Sequence, residues 1–421
     1  MNRLRISIVG LGYVGLPLAV ALARSFRVTG YDISEARVGE LRRGIDRTHE
    51  VAPDALRASR LELTNDAAEM AGSDVFIVTV PTPVDDEHQP DLEAVRGACA
   101  TVGKQLGKGA IVVFESTVYP GVTEDICGPV MAQASGLVCG KDFFLGYSPE
   151  RINPGDRAPT VDRITKVIAG QTPAVVETLK TVYGTLTNGN LFVAKNIKTA
   201  EAAKVIENAQ RDINIAFVNE VAMIFQRLGL SAHEVLDAAG TKWNFLRFTP
   251  GLVGGHCIGV DPFYLAHRAM TVGHEPQVIL AGRRINDAMG AFVATRVDKQ
   301  IGRRSRILVL GLTFKENVPD LRNSKVVDII EALRKAGHEV LVHDPLADPD
   351  EAQEHYGIRL LPQLDDAGSF DAVIGTVSHK PYTELTSSDF ERLVKPGGLV
   401  ADVKAIWRKL ALPEGIRRWE L

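Results

Sequence analysis

Short apolar runs that end at glycine or polar residues divide the first part of the chain into strands and helices. The run from Leu4 to Gly10 predicts a buried strand, and the Ala/Leu-rich segment from Leu16 to Arg24 predicts a helix. Residues 27–31 predict a second strand, which ends at Asp32. Further strands are predicted at residues 74–80, 110–115 and 143–147. Uninterrupted apolar runs of this length are typical of parallel strands covered on both faces, which indicates an α/β domain.

In the middle of the chain, apolar residues recur at the three- to four-residue spacing of a helix instead of in short runs. Residues 199–228 and 276–302 predict two long helices. Strands are again predicted at residues 307–311, 339–344, 371–376 and 398–402, with a helix at 323–336 after the first of them. The pattern therefore predicts two Rossmann-like, doubly wound α/β domains joined by an all-helical central domain with a long helix. We place the domains at residues 1–194, 195–302 and 303–421.

The first predicted loop contains the spacing Gly10-x-Gly12-x-x-Gly15 between a strand and a helix. Glycines at these positions allow a tight turn, the approach of a pyrophosphate and close helix packing. Asp32 can accept hydrogen bonds from a ribose diol and would repel a 2′-phosphate, so the motif favours NAD over NADP. Glycines that serve packing alone are the alternative, but the complete order of strand, glycines, helix, strand and acid argues against it.

The segment Gly251–Asp261 places Cys257 among four glycines, with Asp261 four residues later. Glycine lets the backbone approach a ligand closely, and a thiolate held in such a loop is a strong nucleophile. A small buried cysteine in a packing loop remains an equal alternative at this point.

Polar residues end several predicted strands and line one helix face. Pro81, Thr82, Thr117 and Glu150 follow strands whose carboxyl ends form the ligand-binding edge of an open α/β sheet. Lys204, Asn208 and Arg211 lie on one face of the first long helix. A helix N-cap or surface charge at Glu150, and a solvated polar face on the helix, are the alternatives.

The second α/β domain lacks the dinucleotide glycines. Its first loop is Gly311-Leu-Thr-Phe-Lys315, which indicates a ligand other than a second dinucleotide. Lys315, Arg322 and Lys404 are at or beyond strand ends, where they could bind phosphates. Scattered surface cations are the alternative.

Composition excludes several classes of protein. The 421 residues are 45% hydrophobic and 24% charged with a net charge of −4, so no overall basic surface for nucleic acid is expected. No apolar run approaches the roughly 20 residues that span a bilayer. The four cysteines have no metal-ligand spacing, and the N-terminus has no signal-peptide pattern. We therefore expect a cytoplasmic protein without a metal site.

The assembled motifs resemble the UDP-glucose/GDP-mannose dehydrogenase family of nucleotide-sugar 6-dehydrogenases nearly from end to end. They are Gly10-Leu-Gly-Tyr-Val-Gly15, Val80-Pro-Thr-Pro83, Ser116-Thr117, Ser148-Pro-Glu150, Lys204-x-x-x-Asn208, Gly254-Gly-His-Cys-Ile-Gly-Val-Asp261 and Gly311-Leu-Thr-Phe-Lys315. Three further segments resemble the branch that oxidises UDP-N-acetylglucosamine or UDP-N-acetylgalactosamine for capsule, Vi-type and O-antigen polysaccharides. These segments are Asp46-Arg-Thr48-x-Glu50-Val, Lys242-Trp-Asn-Phe245 and residues 278–287.

The resemblance implies a four-electron oxidation of C6 that uses two NAD and passes through a thioester on Cys257. It implies that Lys204 and Asn208 stabilise the oxyanion at C6. Asp261 would hold Lys204 and a catalytic water, which Thr117 also positions. Glu150 would serve as general acid–base in thioester hydrolysis.

The resemblance also implies the residues that bind each ligand. The expected NAD contacts are Gly10, Gly12, Tyr13, Val14, Gly15, Asp32, Arg37, Pro81, Thr82, Thr117 and Arg322. The expected UDP-sugar contacts are Glu150, Arg151, Lys204, Asn208, Arg211, Arg247, Phe248, Gly254, Lys315 and Lys404. A homodimer or higher homo-oligomer through the central helices is expected, with no nucleic acid or membrane partner.

One departure bears on the substrate. Some UDP-glucose enzymes carry an arginine before the cysteine loop, and this chain has Thr241 and Lys242 in that region instead. This difference argues against UDP-glucose as the main substrate. UDP-N-acetylmannosamine and UDP-glucose remain alternative substrates. A two-electron dehydrogenase, or a non-catalytic protein that binds NAD and sugar nucleotides, would have no use for Cys257 beside Lys204, Asn208 and Asp261.

Overall fold

The computed structural model describes residues 4–85, 87–151, 164–364 and 368–421. The chain folds into two compact units. Unit 1 contains residues 1–207 and 263–274, and unit 2 contains residues 208–262 and 275–421.

Unit 1 is built on an eight-stranded sheet in the order β3-β2-β1-β4-β5-β6-β7-β8. Its strands are β1 (Arg5–Val9), β2 (Arg27–Tyr31), β3 (Glu62–Thr64), β4 (Val75–Val78), β5 (Ile111–Phe114), β6 (Phe144–Tyr147), β7 (Lys166–Gly170) and β8 (Leu191–Val193). All neighbouring strands are parallel except β6 and β7, which are antiparallel. The strand order reverses between β1 and β4, and such a switch point is where doubly wound sheets bind ligands.

Helices cover this sheet because its strands are apolar on both faces. They are α1 (Gly15–Leu22), α2 (Glu35–Arg42), α3 (Pro53–Ala58), α4 (Glu93–Gly103), α5 (Gly128–Ser135) and α6 (Pro173–Thr187). A 3₁₀ helix at Ala67–Met70 and a π-helix at Val122–Cys127 complete the described connections. All four residues of β4 and all four of β5 are buried.

The middle of the chain is helical, as predicted. Its helices are α7 (Ile197–Leu228), α8 (Ala232–Ala239), α9 (Asp261–Thr271) and α10 (Gln277–Ile301). Both α7 and α9 contribute residues to each unit. No helix among the described residues has the length and apolar character needed to cross a bilayer.

Unit 2 contains a five-stranded parallel sheet in the order β10-β9-β11-β12-β13. Its strands are β9 (Arg306–Leu310), β10 (Glu339–His343), β11 (Phe370–Gly375), β12 (Val394–Asp402) and β13 (Arg417–Glu420). Its shorter helices are α11 (Val326–Lys335), α12 (Pro349–Tyr356), α13 (Lys380–Thr383) and α14 (Ser387–Leu393). Ile307 and Val309 of β9 pack in one apolar cluster, whereas Leu308 and Leu310 pack in another. Alternate residues of one strand therefore serve two cores, one on each face of the sheet.

The predicted fold class is confirmed: two doubly wound parallel-sheet regions and a helical middle with a long helix. The predicted strands and long helices occur within a few residues of their expected bounds. Asp261, which we placed in a loop, instead begins α9. Four strands were not predicted: β3, the antiparallel β7, β8 and the terminal β13. The three-domain boundaries stay a prediction.

Gly375 offers a test of packing in the second sheet. A Cβ at this position would overlap the ring of Trp407, which is fully buried and held by its indole N–H donating to the carbonyl oxygen of Tyr382 at 2.7 Å. Gly375→Ala is therefore expected to lower the free energy of unfolding by about 1–3 kcal/mol. Gly282→Ala is the control, because its Cβ would meet its nearest neighbours at an ordinary 3.5 Å. Equal unfolding midpoints in urea for the two variants would contradict the expectation.

Candidate active site

The first loop of unit 1 leaves β1 at the switch point. Gly10 has a φ of +94°, and a Cβ at Gly15 would overlap the carbonyl oxygen of Gly10. Glycine at both positions is therefore required by the backbone itself. At Gly12, no described atom lies within 4 Å of the Cβ position. This open space, one turn before α1, suits a phosphate that approaches the N–H groups of the helix.

Asp32 fixes this loop from the end of β2. Its Oδ2 accepts a hydrogen bond from the Leu11 backbone N–H at 2.8 Å, and its Oδ1 accepts one from the Ser34 N–H at 2.9 Å. Each carboxylate oxygen has a second lone pair that can accept a ribose hydroxyl. Asp32 thus holds the loop and has the chemistry expected of a ribose contact.

Arg37 lies beneath the same loop and is buried. Its Nε donates to the carbonyl oxygen of Leu11 at 3.0 Å, and its Nη2 donates to Asp46 at 2.7 Å. Burial opposes the charge of Asp46, yet hydrogen bonds from Thr48, Arg37 and Val51 hold its pKa below the ordinary value. Buried Nη1 of Arg37 has no hydrogen-bond partner among the described residues. The buried guanidinium therefore connects the loop at Leu11 to Asp46.

The ends of β4, β5 and β6 are connected through Ser116. Its Oγ donates to the carbonyl oxygen of Val80 at 2.6 Å, and the Tyr147 hydroxyl donates to the Ser116 carbonyl oxygen at 3.2 Å. Thr82 and Thr117 are half-buried on the adjacent segments. These bonds fix the strand-end residues that the sequence singled out at this edge.

Glu150 follows β6 and is mostly buried, which argues against a free surface charge. Its Oε1 accepts from the Arg151 N–H at 2.6 Å, and its Oε2 accepts from Nζ of Lys166 at 3.0 Å. The Arg151 guanidinium pairs with Glu207 at 2.6 Å and donates to the Thr165 carbonyl oxygen at 3.0 Å.

Glu201, near the start of α7, holds the loop that follows Thr117. The carboxylate is fully buried and accepts from the backbone N–H groups of Gly121 at 2.6 Å and Thr123 at 2.9 Å. Burial outweighs these hydrogen bonds and raises its pKa from 4.5 to about 7.

The two predicted polar residues Asn208 and Asp261 contact each other in unit 2. The side-chain amide of Asn208 donates to Oδ2 of Asp261 at 2.5 Å, and Asp261 is buried. This bond gives Asn208 the specific role that its position inside a helix suggested. Lys204 is half-buried on α7, whereas Arg211 is exposed.

Cys257 is half-buried, in contrast to the buried Cys99 and Cys127. Its loop is closely packed: a Cβ at Gly254 would lie 2.5 Å from the Asn323 carbonyl oxygen, and one at Gly255, where φ is +79°, would lie 2.6 Å from the Phe314 ring. The Cys257 carbonyl oxygen accepts from the Asp261 N–H at 2.8 Å. The thiol therefore belongs to a closely packed glycine loop in which it is half-buried, and its role as nucleophile stays a prediction.

A buried polar network holds the start of this loop. Asn219 exchanges two hydrogen bonds with the backbone of Gly251, at 2.8 and 3.0 Å, and donates to Asn286 at 2.8 Å. Asp212 accepts from both Asn286 and Arg283 at 2.7 Å. Arg283 and Asn286, both in the 278–287 segment, therefore connect α10 to α7. Through Asn219 they also connect it to the cysteine loop.

Lysines border a pocket in unit 2. Lys315, Lys325 and Lys404 line it together with Gly254 and Phe314. Lys325, which the sequence analysis missed, pairs with Asp287 at 3.2 Å and Asp328 at 3.3 Å. Glu316 is also part of the lining, so three lysines and one glutamate surround the pocket next to the first residues of α11. The excess of positive charge suits an anionic ligand.

The other predicted cations of unit 2 contact protein groups. Arg322 forms a bidentate pair with Asp320 at 2.6–3.2 Å. Nη2 of exposed Arg247 donates to the Gly240 carbonyl oxygen at 2.6 Å, and Phe248 is half-buried. Their contacts with NAD and substrate stay predictions.

The first loop of the second sheet repeats the construction of the first with a different outcome. Gly311 has a φ of +103°, and Asp344 at the end of β10 accepts from the N–H groups of Leu312 and Thr313 at 2.6 and 2.9 Å. Unlike Asp32, Asp344 is buried and contacts Nε2 of buried His379 at 3.1 Å. The imidazole covers the carboxylate, so this loop cannot offer it to a ribose.

Comparison with known sequences assigns each part of the chain to one family. Residues 4–187 match the NAD binding domain of the UDP-glucose/GDP-mannose dehydrogenase family, residues 198–288 match its central domain, and residues 308–409 match its UDP binding domain. The chain belongs to this family. It is an NAD-dependent UDP-sugar dehydrogenase, and both the predicted family and the predicted cofactor are confirmed.

Similar proteins of this family span the whole chain. Protein CapL of Staphylococcus aureus is 51% identical over 100% of both chains. The UDP-N-acetyl-D-glucosamine 6-dehydrogenase of Pseudomonas aeruginosa is 48% identical over 96% of this chain and 97% of its own. The solved UDP-D-ManNAc dehydrogenase of Pyrococcus horikoshii superposes with a TM-score of 0.88 at 29% identity, over 99% of each chain.

The structure brings the predicted residues together in two groups. In unit 1, Gly10, Gly12 and Gly15 lie with Asp32 and Arg37 around one loop. In unit 2, Asn208 contacts Asp261. Gly251 begins the cysteine loop, and a Cβ added at this glycine would lie 3.4 Å from Nζ of Lys404. Individual catalytic and binding roles stay predictions.

Sequence reasoning missed residues that act on the backbone or on other side chains. These are Glu115, Lys166, Glu201, Asp212, Asn219, Lys325, Asp344 and His379. A signal existed for some of them, since Glu115 and Lys166 are charged residues at the ends of apolar runs. The position of a charged residue in the sequence does not identify the group that it contacts, and its role depends on that group.

The pKa of Glu201 leads to a prediction about stability. Because the folded protein binds this proton more tightly than the unfolded chain, the free energy of unfolding falls as pH rises from 4.5 through about 7. A shift of this size corresponds to about 3 kcal/mol. In Glu201→Gln this contribution is absent, so the difference in unfolding free energy, wild type minus variant, should decrease between pH 5 and pH 8. Urea unfolding at several pH values measures it, with exposed Glu93→Gln as control; parallel curves for wild type and Glu201→Gln would refute the assignment.

Proposed function

We propose that this enzyme oxidises C6 of UDP-N-acetylglucosamine or UDP-N-acetylgalactosamine to a carboxylate for polysaccharide synthesis. The 48% identity to a UDP-N-acetyl-D-glucosamine 6-dehydrogenase over nearly the whole chain supports the substrate class. The observation that carries the mechanism is the half-buried Cys257 in a fixed glycine loop, three residues after Gly254 of the lysine pocket. The UDP-D-ManNAc dehydrogenase of the same fold makes UDP-N-acetylmannosamine the main alternative.

NAD, when bound, accepts the hydride that leaves C6 in each of two oxidations. In this proposal Gly10, Gly12, Tyr13, Val14, Gly15, Asp32, Arg37, Pro81, Thr82, Thr117 and Arg322 bind it. The open space at Gly12 and the remaining lone pairs of Asp32 support the first part of this set.

Cys257 forms a covalent bond to C6 between the two oxidations. Its thiolate attacks the aldehyde carbon, and the resulting alkoxide takes up a proton to give a thiohemiacetal. After the second oxidation C6 is a thioester, and water attacks it. The C–S bond then breaks, its electron pair returns to sulfur, and the carboxylic acid leaves. In total C6 loses four electrons and gains one oxygen from water.

Side chains around this chemistry supply charge and proton transfer. We assign Lys204 and Asn208 to the oxyanion at C6, because an ammonium and an amide N–H stabilise developing negative charge. The bond to Asp261 orients the Asn208 amide and leaves its second hydrogen available. Asp261 and Thr117 position Lys204 and water, and Glu150 exchanges a proton with water during hydrolysis.

The nucleotide sugar binds through cations in this proposal. Lys315 and Lys404 contact its phosphates, supported by their place in the lysine pocket. Arg151, Arg211, Arg247, Phe248 and Gly254 complete the substrate contacts. We also propose a cytoplasmic homodimer through α7, where Phe217, Ile224 and Leu228 share one face and are 61%, 48% and 64% exposed.

A panel of UDP-sugars with counted NADH tests this function. The purified enzyme is given UDP-N-acetylglucosamine, UDP-N-acetylgalactosamine, UDP-N-acetylmannosamine and UDP-glucose. We expect the highest kcat/KM for one of the first two and two NADH per sugar consumed. One NADH per sugar would establish a two-electron dehydrogenase, and preference for either of the last two sugars would overturn the substrate assignment.

Cys257→Ser tests the covalent step. Serine is the weaker nucleophile, so we expect net turnover to fall at least about 100-fold. NAD affinity, measured by calorimetry, should not change, because Cys257 lies outside the dinucleotide loop. Cys139→Ser is the matched control, since Cys139 is also half-buried and its loss should leave turnover unchanged. Turnover of Cys257→Ser equal to that of Cys139→Ser would exclude a covalent role.

A further inference from the structure

A buried lysine in unit 1 contacts two carboxylates at once. Lys166 is the first residue of β7, and its side chain is 7% exposed. Its Nζ lies 2.8 Å from Oε2 of Glu115 and 3.0 Å from Oε2 of Glu150. Glu115 follows β5 and Glu150 follows β6, so three strand ends meet at one ammonium group.

Glu115, Lys166 and Tyr183 contact one another independently of Glu150. Glu115 is fully buried; its Oε1 accepts from the Tyr183 hydroxyl at 2.6 Å and its Oε2 accepts from Lys166. The Lys166 ammonium also lies 5.4 Å from the centre of the Tyr183 ring. Glu115 by itself supplies the counter-charge for the ammonium, so the contact with Glu150 is an additional one.

Glu150 is the accessible member of the cluster. Its side chain is 21% exposed, against 0% for Glu115 and 7% for Lys166. Its Oε2 contacts Lys166 and its Oε1 accepts from the Arg151 backbone N–H at 2.6 Å. The ammonium therefore holds one end of a carboxylate whose exposed part can reach a ligand.

Charged groups of both signs surround Glu150. Burial works against the charge of Lys166, but Glu115 and Glu150 together keep its pKa above the ordinary value. Burial raises the pKa of Glu115 despite Lys166, and burial together with Glu115 raises the pKa of Tyr183 well above 10. The Arg151 guanidinium pairs with Glu207, whereas the Lys166 ammonium contacts the Glu150 carboxylate directly.

We propose that Lys166 is a positioning residue that orients Glu150 and keeps it ionised for thioester hydrolysis, with Glu115 and Tyr183 holding the ammonium in place. The inference rests on the proposed function of Glu150. In that step the ionised carboxylate removes a proton from water as the water oxygen bonds to the thioester carbon. The C–S bond breaks, its electron pair returns to Cys257, and the proton on Glu150 passes to solvent.

Lys166→Met removes the charge with little change in length. Without the adjacent positive charge Glu150 holds its proton to higher pH, so the acid limb of the turnover profile should move up by about one pH unit or more. At pH 7 we expect at least about tenfold slower hydrolysis, because the carboxylate also loses the contact that orients it. Intact-protein mass spectrometry would show this as an acylated Cys257 that decays slowly. Lys166→Arg should restore most of the rate and the profile. A purely structural lysine would change stability without moving the acid limb.

Two further variants keep the test interpretable if Lys166→Met folds poorly. Lys166→Met/Glu115→Gln removes both buried charges, so that Glu115 is not left unpaired in the interior. Its acid limb should still move up, but by less than in Lys166→Met, because the repulsion from Glu115 is removed as well. Lys180→Met removes an exposed lysine of α6 that pairs with Glu177, and should behave as wild type. If the double variant folds and keeps the wild-type profile and decay rate, the inference is wrong.

Glu150→Gln separates this inference from the proposed function. If Glu150→Gln accumulates the acylated enzyme while Lys166→Met does not, the inference alone fails. If Glu150→Gln hydrolyses the thioester at the wild-type rate, or if wild type forms no adduct at Cys257, the proposed mechanism fails and the inference falls with it.

Discussion

In each sheet a carboxylate at the end of the second strand fixes the first loop. Asp32 accepts the Leu11 N–H at 2.8 Å and Asp344 accepts the Leu312 N–H at 2.6 Å. Because this loop leaves the sheet where the strand order reverses, its geometry decides which ligand can approach. In unit 1 the loop faces open space at Gly12, whereas in unit 2 His379 covers the carboxylate. One backbone construction thus serves a dinucleotide in one unit and leaves the other to a different ligand.

The position of Cys257 depends on groups several residues away from it. Overlap with the Asn323 carbonyl oxygen excludes a side chain at Gly254, and overlap with the Phe314 ring excludes one at Gly255. Asn219 holds Gly251 by two hydrogen bonds. A reactive thiol needs a fixed location but also access, so the loop is fixed through its backbone and the thiol is left half-buried. This arrangement suits the nucleophile that we propose at Cys257, which lies among glycines rather than on a helix.

The fold class and the dinucleotide loop followed from sequence because both are recorded in local spacing. Apolar runs specify strands, and Gly10, Gly12 and Gly15 specify the turn. The helix that begins at Asp261 was not predicted, because the preceding glycines concealed its start. Contacts such as Lys166 with Glu115, 51 residues apart, depend on strand order and leave no local pattern. Asn208 could be identified as unusual, but its partner Asp261 could not be derived from its spacing of 53 residues.

The buried charges of this protein are better explained by what they hold than by what they add to stability. Burying a charge costs several kcal/mol, and apolar replacements of buried ion pairs are often neutral or stabilising. Yet Glu201 holds the loop after Thr117, and Asp344 holds the loop before Lys315. Asp212 acts through Asn286 and Asn219 on the cysteine loop. Each of these carboxylates fixes a segment that carries a proposed site residue, as a directional hydrogen bond can and an apolar contact cannot. We infer that the free-energy cost of desolvating these carboxylates is tolerated because the proposed chemistry requires fixed backbone segments.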